Sequence, residues 1–370
     1  MEQPKNFTAA FPGKYIQGEN ALAELPRLVK IFGKKGLVIS SPTVKNKIIP
    51  VCKFQNQDEW LTIEEFQGEC CETELARLAS VINSSKANVI IGMGGGKTID
   101  AAKIAADRAG LPVIVAPSIA STDAPCSGCA IIYTEEGVFD SVYYTKMNPQ
   151  VVLVDTGVIA KAPARFLVAG MGDAMATWFE ARSCERSNSL NVCGGYSTLT
   201  GLNLAKLCHD TLLQYGTTAK SDCENKFVTP ALDYIIEANT LLSGIGFESS
   251  GLAAAHAIHN GLSALEETHP FYHGEKVAFG VVTGLHLTDA SPKEMETVYS
   301  FFEEVGLPTC LSDIGIVNAN QEKLMKVALK ACVPEETIHH EAMLVTPEKV
   351  LEAMIAADIM GQSRKIKNSK

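Results

Sequence analysis

Two groups of residues in this 370-residue chain have the types and spacing to do chemistry. The first is "GMGGGKT", Gly92 to Thr98, where three adjacent glycines stand between an apolar run and a helix-like stretch. Glycine lets a ligand approach the main chain closely. The N-terminus of the helix that follows offers free N–H groups and a partial positive charge, and Lys97 adds a cation. Neither common phosphate motif fits. Gly92 and Gly96 enclose three residues where a Walker A loop needs four, and Lys97 stands where G-x-G-x-x-G requires its last glycine. The turn, with Gly94, Gly95 and Gly96 at its centre, therefore reads as a phosphate grip of another kind. The plainer alternative is a tight turn without a ligand.

The second group is one acid and several histidines. "GLAAAHAIHNGL" sets His256 and His259 three residues apart, on adjacent sides of an Ala-rich helix. His273 follows in "FYHGEKVAFG". Upstream, "AGMGDAMATWFEAR" puts Asp173 near the start of a helix. One Asp with two or more His suits zinc or another divalent metal. The spacing alone also suits packed or surface histidines, and an Asp173 that only caps its helix.

The elements that must position these groups alternate in the first part of the chain. "GLVIS" (36–40), "NVII" (88–91), "PVIVAP" (112–117) and "VVLVD" (151–155) read as strands. In "ETELARLASVINSSK", Leu75, Leu78, Ala79 and Ile82 follow the period of an amphipathic helix, and "KTIDAAKIAADRAG" reads as a helix ending at Gly110. Continuous apolar strands alternating with helices predict a parallel sheet covered on both faces. After "KAPARF" (161–166) Ala-, Leu- and Ser-rich helical stretches dominate. This places a boundary near residue 160, with an α/β domain over 1–160 and a helical one over 161–370. No internal repeat or low-complexity segment is present.

Composition narrows the function classes. Net charge is −10 and 46% of residues are hydrophobic, which argues against nucleic acid as a partner. The basic run "SRKIKNSK" at the end reads as a solvated tail. The polar start, broken by Pro and Gly, lacks the apolar stretch of a signal peptide. No run approaches the ~20 apolar residues of a membrane span. A soluble, cytoplasmic protein is expected. The 11 cysteines lack the spacing of a disulfide scaffold and read as reduced thiols. Cys126 and Cys129 form a single C-x-x-C, either a redox pair or two ordinary loop cysteines.

Taken together, "GMGGGKTIDAAK", "APSIASTDAPCS", "APARFLVAGMGDAMATWFEAR", "VTPALDYIIEANTLLSGIGFESSGLAAAHAIHNGL" and "FYHGEKVAFG" resemble the glycerol dehydrogenases of the iron-dependent alcohol dehydrogenase superfamily. The similarity runs from "PGKYIQG" (12–18) to near the C-terminus. The resemblance implies a dehydroquinate synthase-like fold: an N-terminal Rossmann-like parallel-sheet domain, a C-terminal all-helical metal-binding domain, and an active site in the cleft between them. It implies that Asp173, His256 and His273 bind one catalytic metal per subunit and meet the substrate there, and that Asp123 contacts the polyol. It sets Gly96, Lys97, Ser118, Ser121, Ser127, Cys129 and Tyr133 around NAD, with His259 beside the metal site but not among its matched ligands.

Many iron-type members carry a fourth ligand, a His one helical turn after the Asp. Here that position is Thr177, so an open three-ligand site, which suits zinc, is expected. Where the family usually has an Asp on the adenosine ribose, this chain has Ser41, which removes a group that would repel a 2′-phosphate. The implied reaction is oxidation of glycerol to dihydroxyacetone, and of other vicinal diols, by hydride transfer to NAD with the metal as Lewis acid. A relative with another substrate or with NADP preference is the alternative. The resemblance also implies a homo-oligomer, often an octamer, and a role in glycerol metabolism.

Overall fold

The computed structural model describes residues 5–52 and 54–368. They fall into two compact units, one of Ala10–Leu167 and Ser221–Gly244, the other of Met1–Ala9, Val168–Lys220 and Ile245–Lys370. Measured against a single cut near residue 160, the α/β unit thus also takes in the later stretch 221–244.

The α/β unit is built on β1 (Tyr15–Gly18), β2 (Gly36–Ser40), β3 (Leu61–Glu65), β4 (Val89–Gly94), β5 (Val113–Pro117) and β8 (Val151–Asp155), in the order β1-β8-β5-β4-β2-β3. All neighbours pair in parallel. The four inner strands are buried along their whole length, while β1 and β3 at the edges are only partly covered. That difference is what helices on both faces of a parallel sheet produce. A separate antiparallel hairpin pairs β6 (Cys129–Tyr133) with β7 (Phe139–Tyr144). One core cluster of the unit joins Leu25, Leu28 and Val29 to Val38, Ile91, Ile114 and Leu153.

From β2 the sheet continues outward to β3, and from β4 it continues the other way to β5. The chain therefore reverses its direction of travel at β2 and β4. Ligands of open α/β sheets bind at this point, beyond the carboxyl ends of the strands. Ser41 follows β2 and the glycine turn follows β4.

The other unit is helical among the described residues, apart from an isolated bridge between Phe7 and Tyr196. Its long helices are Ala164–Ser187, which begins in the preceding segment, and Leu199–Glu224; shorter ones span Ala254–Leu262, His273–Leu287 and Gln321–Ala331, and Pro347–Asn368 closes the chain. Two sequence expectations change here. Asp173 lies well inside Ala164–Ser187 and is not a helix cap. The C-terminal basic run is also no loose tail: the helix continues to Asn368, with Arg364 paired to Glu296 and Glu303 and Lys365 to Asp313. Ala79, placed on the apolar stripe of its helix, is exposed, whereas Leu75, Leu78 and Ile82 are buried.

Candidate active site

Bare backbone brings the metal-ligand candidates together. On the helix His273–Leu287, a β-carbon at Gly274 would overlap the carbonyl oxygen of Ala169, and one at Gly172 would overlap the carbonyl oxygen of Gly274. The Asp173 helix and the His273 helix thus touch main chain to main chain, one residue from each ligand candidate. Further along, a β-carbon at Gly280 would overlap the carbonyl of Ala255, next to His256. These glycines are contact points between helices.

At this junction one ligand atom each from Asp173, His256 and His273 lies within 4.8 Å of the others. Nε2 of His273 is 3.0 Å and Nε2 of His256 is 3.4 Å from Oδ1 of Asp173. Side-chain exposure rises from 1% at Asp173 through 12% at His256 to 37% at His273, so the cluster opens on the His273 side. Burial alone would raise the Asp173 carboxyl, but His273 and His256 outweigh it and hold the group well below the carboxylate range. Burial disfavours a charged His256, yet Glu180 and Asp173 raise it above the ordinary imidazole value. A buried carboxylate with two imidazole nitrogens aimed at one of its oxygens is a donor set that fits a divalent metal. Thr177, one turn after Asp173, is buried. It packs so that a β-carbon at Gly246 would stand 2.7 Å from its methyl group.

Of the residues behind these ligands, His259 was a candidate in the sequence and Glu180 was not. His256 Nδ1 donates to Oε2 of Glu180 at 2.6 Å. Glu180 Oε1 accepts the main-chain N–H groups of Ala253 and His256, both at 2.9 Å. His273 Nδ1 lies 3.1 Å from Nε2 of His259. Burial and the neighbouring His273 push His259 below its ordinary value. Glu180 could have been found from its place seven residues after Asp173, on the same buried face of the helix.

In the α/β unit the glycines divide their labour. A β-carbon at Gly92 would stand 2.7 Å from Ala102 Cβ, and one at Gly94 2.7 Å from Thr98, so both allow close packing of strand on helix. Gly95 caps the helix Gly96–Ala109 without a side-chain bond, and a β-carbon at Gly96 would meet nothing nearer than 3.9 Å. Ser118 follows β5 and its N–H donates to the Gly94 carbonyl at 2.9 Å. Ser41, Gly94–Gly96 and Ser118 thus line adjacent strand ends. Lys97 pairs with Glu69 and lies over the ring of Tyr133, 4.8 Å from its centroid. Ser41 Oγ accepts the N–H of Val44 at 3.4 Å.

The loop with Asp123, Ser127 and Cys129 is held from beneath by Lys103, buried to 1% exposure. Its ammonium donates to the carbonyls of Ala124 at 2.9 Å and Ser127 at 3.2 Å, and to that of Cys129. Asp123 Oδ2 accepts the hydroxyl of Ser243 at 2.8 Å. Ser121 is half-buried on the same loop. Cys126 and Cys129 are in the thiol form, as are the other nine cysteines.

The chain is similar to known proteins along its whole length. Residues 12–156 match the family described as iron-containing alcohol dehydrogenase. A glycerol dehydrogenase of Thermotoga maritima is 51% identical over 97% of this chain and 98% of its own. Among solved structures, glycerol dehydrogenase from Schizosaccharomyces pombe superposes with a TM-score of 0.94 at 36% identity, over 100% of this chain and 94% of that one. A probable glycerol dehydrogenase from Sinorhizobium meliloti reaches 0.92 at 42% identity, over 97% and 100%. The chain belongs to the iron-containing alcohol dehydrogenase family, whose members are oxidoreductases.

Proposed function

We propose that this chain is a metal- and NAD-dependent glycerol dehydrogenase, oxidising glycerol to dihydroxyacetone and accepting other vicinal diols. The convergence of Asp173, His256 and His273 carries this reading, supported by full-length relatives named for the same activity. A divalent metal held there would supply Lewis acidity toward a substrate hydroxyl, and a bound NAD would supply the hydride acceptor. Asp173, His256 and His273 hold the metal and leave the exposed side to the diol. Thr177 in the place of a fourth ligand supports zinc, one ion per subunit. Asp123 orients a hydroxyl of the polyol.

On the cofactor side, the helix N-terminus at Gly95–Gly96 receives the pyrophosphate through main-chain N–H groups. Gly94 packs beneath it, and Ser118, Ser121, Ser127, Cys129 and Tyr133 line the rest of the cofactor. The Lys97 charge is already met by Glu69, so Lys97 shapes the pocket more than it binds charge. The α/β unit is the dinucleotide-binding domain and the helical unit the metal and substrate domain. The free cysteines support a reducing compartment, the cytoplasm. The enzyme works as a homo-oligomer, for which an octamer in light scattering is the expected result.

The test is NADH formation from glycerol by protein stripped of metal and reloaded with zinc or with iron. Activity restored by zinc and absent without metal is expected; equal activity without metal overturns the reading. Ser41→Asp should raise selectivity for NAD over NADP about tenfold, ~1.4 kcal/mol, by restoring repulsion of the 2′-phosphate. Steady-state rates with both cofactors measure it.

A further inference from the structure

We propose that Glu180 and His259 are positioning residues of the metal centre, each fixing one ligand histidine in the tautomer that leaves its Nε2 free to ligate. The inference rests on the reading of Asp173, His256 and His273 as metal ligands. A neutral imidazole binds a metal through one nitrogen and carries its proton on the other. Which nitrogen is which is set by the partner of the protonated one. Here both Nε2 atoms face Asp173 and both Nδ1 atoms face away from it.

For His256 the polarity follows from one carboxylate. Glu180 accepts two main-chain N–H groups on Oε1 and faces Nδ1 with Oε2. A carboxylate oxygen accepts, so in the neutral ring the proton sits on Nδ1 and leaves the lone pair on Nε2. The same residue serves the backbone. The helix Ala254–Leu262 begins at Ala253, which has no side chain to cap it. Glu180 takes up the N–H groups of Ala253 and His256, beside Glu341 on that of Ala254, and so helps to set the helix that carries His256 as well as the ring itself.

For His273 the polarity is relayed from farther away. Asn260 Nδ2 donates to both oxygens of Glu336, at 3.1 Å each. That orientation turns the Asn260 oxygen toward His259 Nδ1, 3.0 Å away. His259 therefore donates from Nδ1 and presents a bare Nε2, so His273 must donate from its own Nδ1. Each ligand histidine thus ends on a carboxylate, one directly and the other through two neutral groups. The two residues are not equivalent: Glu180 acts on its ring through a charge, His259 through a neutral dipole.

The experiment titrates metal-free protein with Zn2+ against a chromogenic chelator and records the visible spectrum of the Co2+-loaded form. Glu180→Gln keeps an oxygen for the helix N–H groups but can present an NH2 group to His256 Nδ1. His259→Phe keeps a ring beside His273 but removes the acceptor. Zinc affinity should fall about 10- to 100-fold, more in Glu180→Gln than in His259→Phe. The cobalt bands should shift while the metal-free melting temperature holds. Zinc binding within about twofold of wild type in both variants, with Asp173→Ala losing it, overturns the inference and leaves the site standing. Loss in one variant alone overturns it for the other residue. Undiminished binding by Asp173→Ala overturns the metal site and this inference together. If Glu180→Gln does not fold, His259→Phe decides by the same readings.

Discussion

The two units offer their ligands opposite things. At the glycine turn of the α/β unit the useful groups are main-chain N–H donors, and what qualifies Gly95 and Gly96 is the side chain they lack. In the helical unit the useful groups are three side chains, converging where three helices meet. A main-chain site is robust to the identity of its neighbours but intolerant of added atoms. A side-chain site is intolerant of deletion, because every donor is unique.

That contrast can be broken by substitution. The largest effect belongs to the side-chain site: Asp173→Ala should lower the rate of glycerol oxidation roughly a thousandfold, the equivalent of the several kcal/mol that a Lewis acid supplies. Metal content measured alongside should fall with it. In the main-chain site, the same small change should have different consequences two residues apart. Gly94→Ala forces a β-carbon onto Thr98 and should destabilise the fold by about 1–3 kcal/mol, seen in denaturant unfolding. Gly96→Ala enters open space, should unfold as wild type does, and should raise KM for NAD instead. If both glycines behave alike, packing and binding are not divided between them.

The smallest effect sharpens the comparison away from either site. Asp313 accepts the N–H groups of Thr309 and Cys310 and pairs with Lys365 on the last helix. Burial works to raise its carboxyl, but Lys365 and these donors hold it below the ordinary value. A carboxyl lowered on folding stabilises above its unfolded pKa, about 3.9. That contribution is lost as pH falls through the lower folded value. Asp313→Asn should therefore cost about 1 kcal/mol at neutral pH and flatten the acid side of a plot of melting temperature against pH, with catalysis unchanged.

The inner strands were legible because burial on both faces leaves continuous apolar runs, as in "NVII" and "VVLVD". The edge strands β1 and β3 were not, since partial exposure admits Gln17, Thr62, Glu64 and Glu65. The hairpin β6–β7 was hidden by its exposed face, with Phe139 and Tyr144 in solvent. Asp173, His256 and His273 were visible as candidates by residue type and resemblance. Asp173 was misplaced at a helix start because Gly170 and Gly172 look like breakers, and only tertiary contact shows Gly172 to be a crossing point. Glu180 acts through a ring 76 residues away and Lys103 through carbonyls 21 to 26 residues away. Spacing brings Glu180 and His259 near the site, but which atoms face them depends on the tertiary fold.

The glycine crossings at Gly172, Gly274 and Gly280 give the centre a mechanical lower stop. Where helices pack through side chains, a core substitution can let them close as well as part. Here carbonyl oxygens already meet bare α-carbons, so repacking elsewhere has no inward travel left to exploit. Repacking of the apolar core around the site can therefore part the helices of Asp173 and His273 but not bring them closer, like a gauge whose jaws rest on metal and not on cloth.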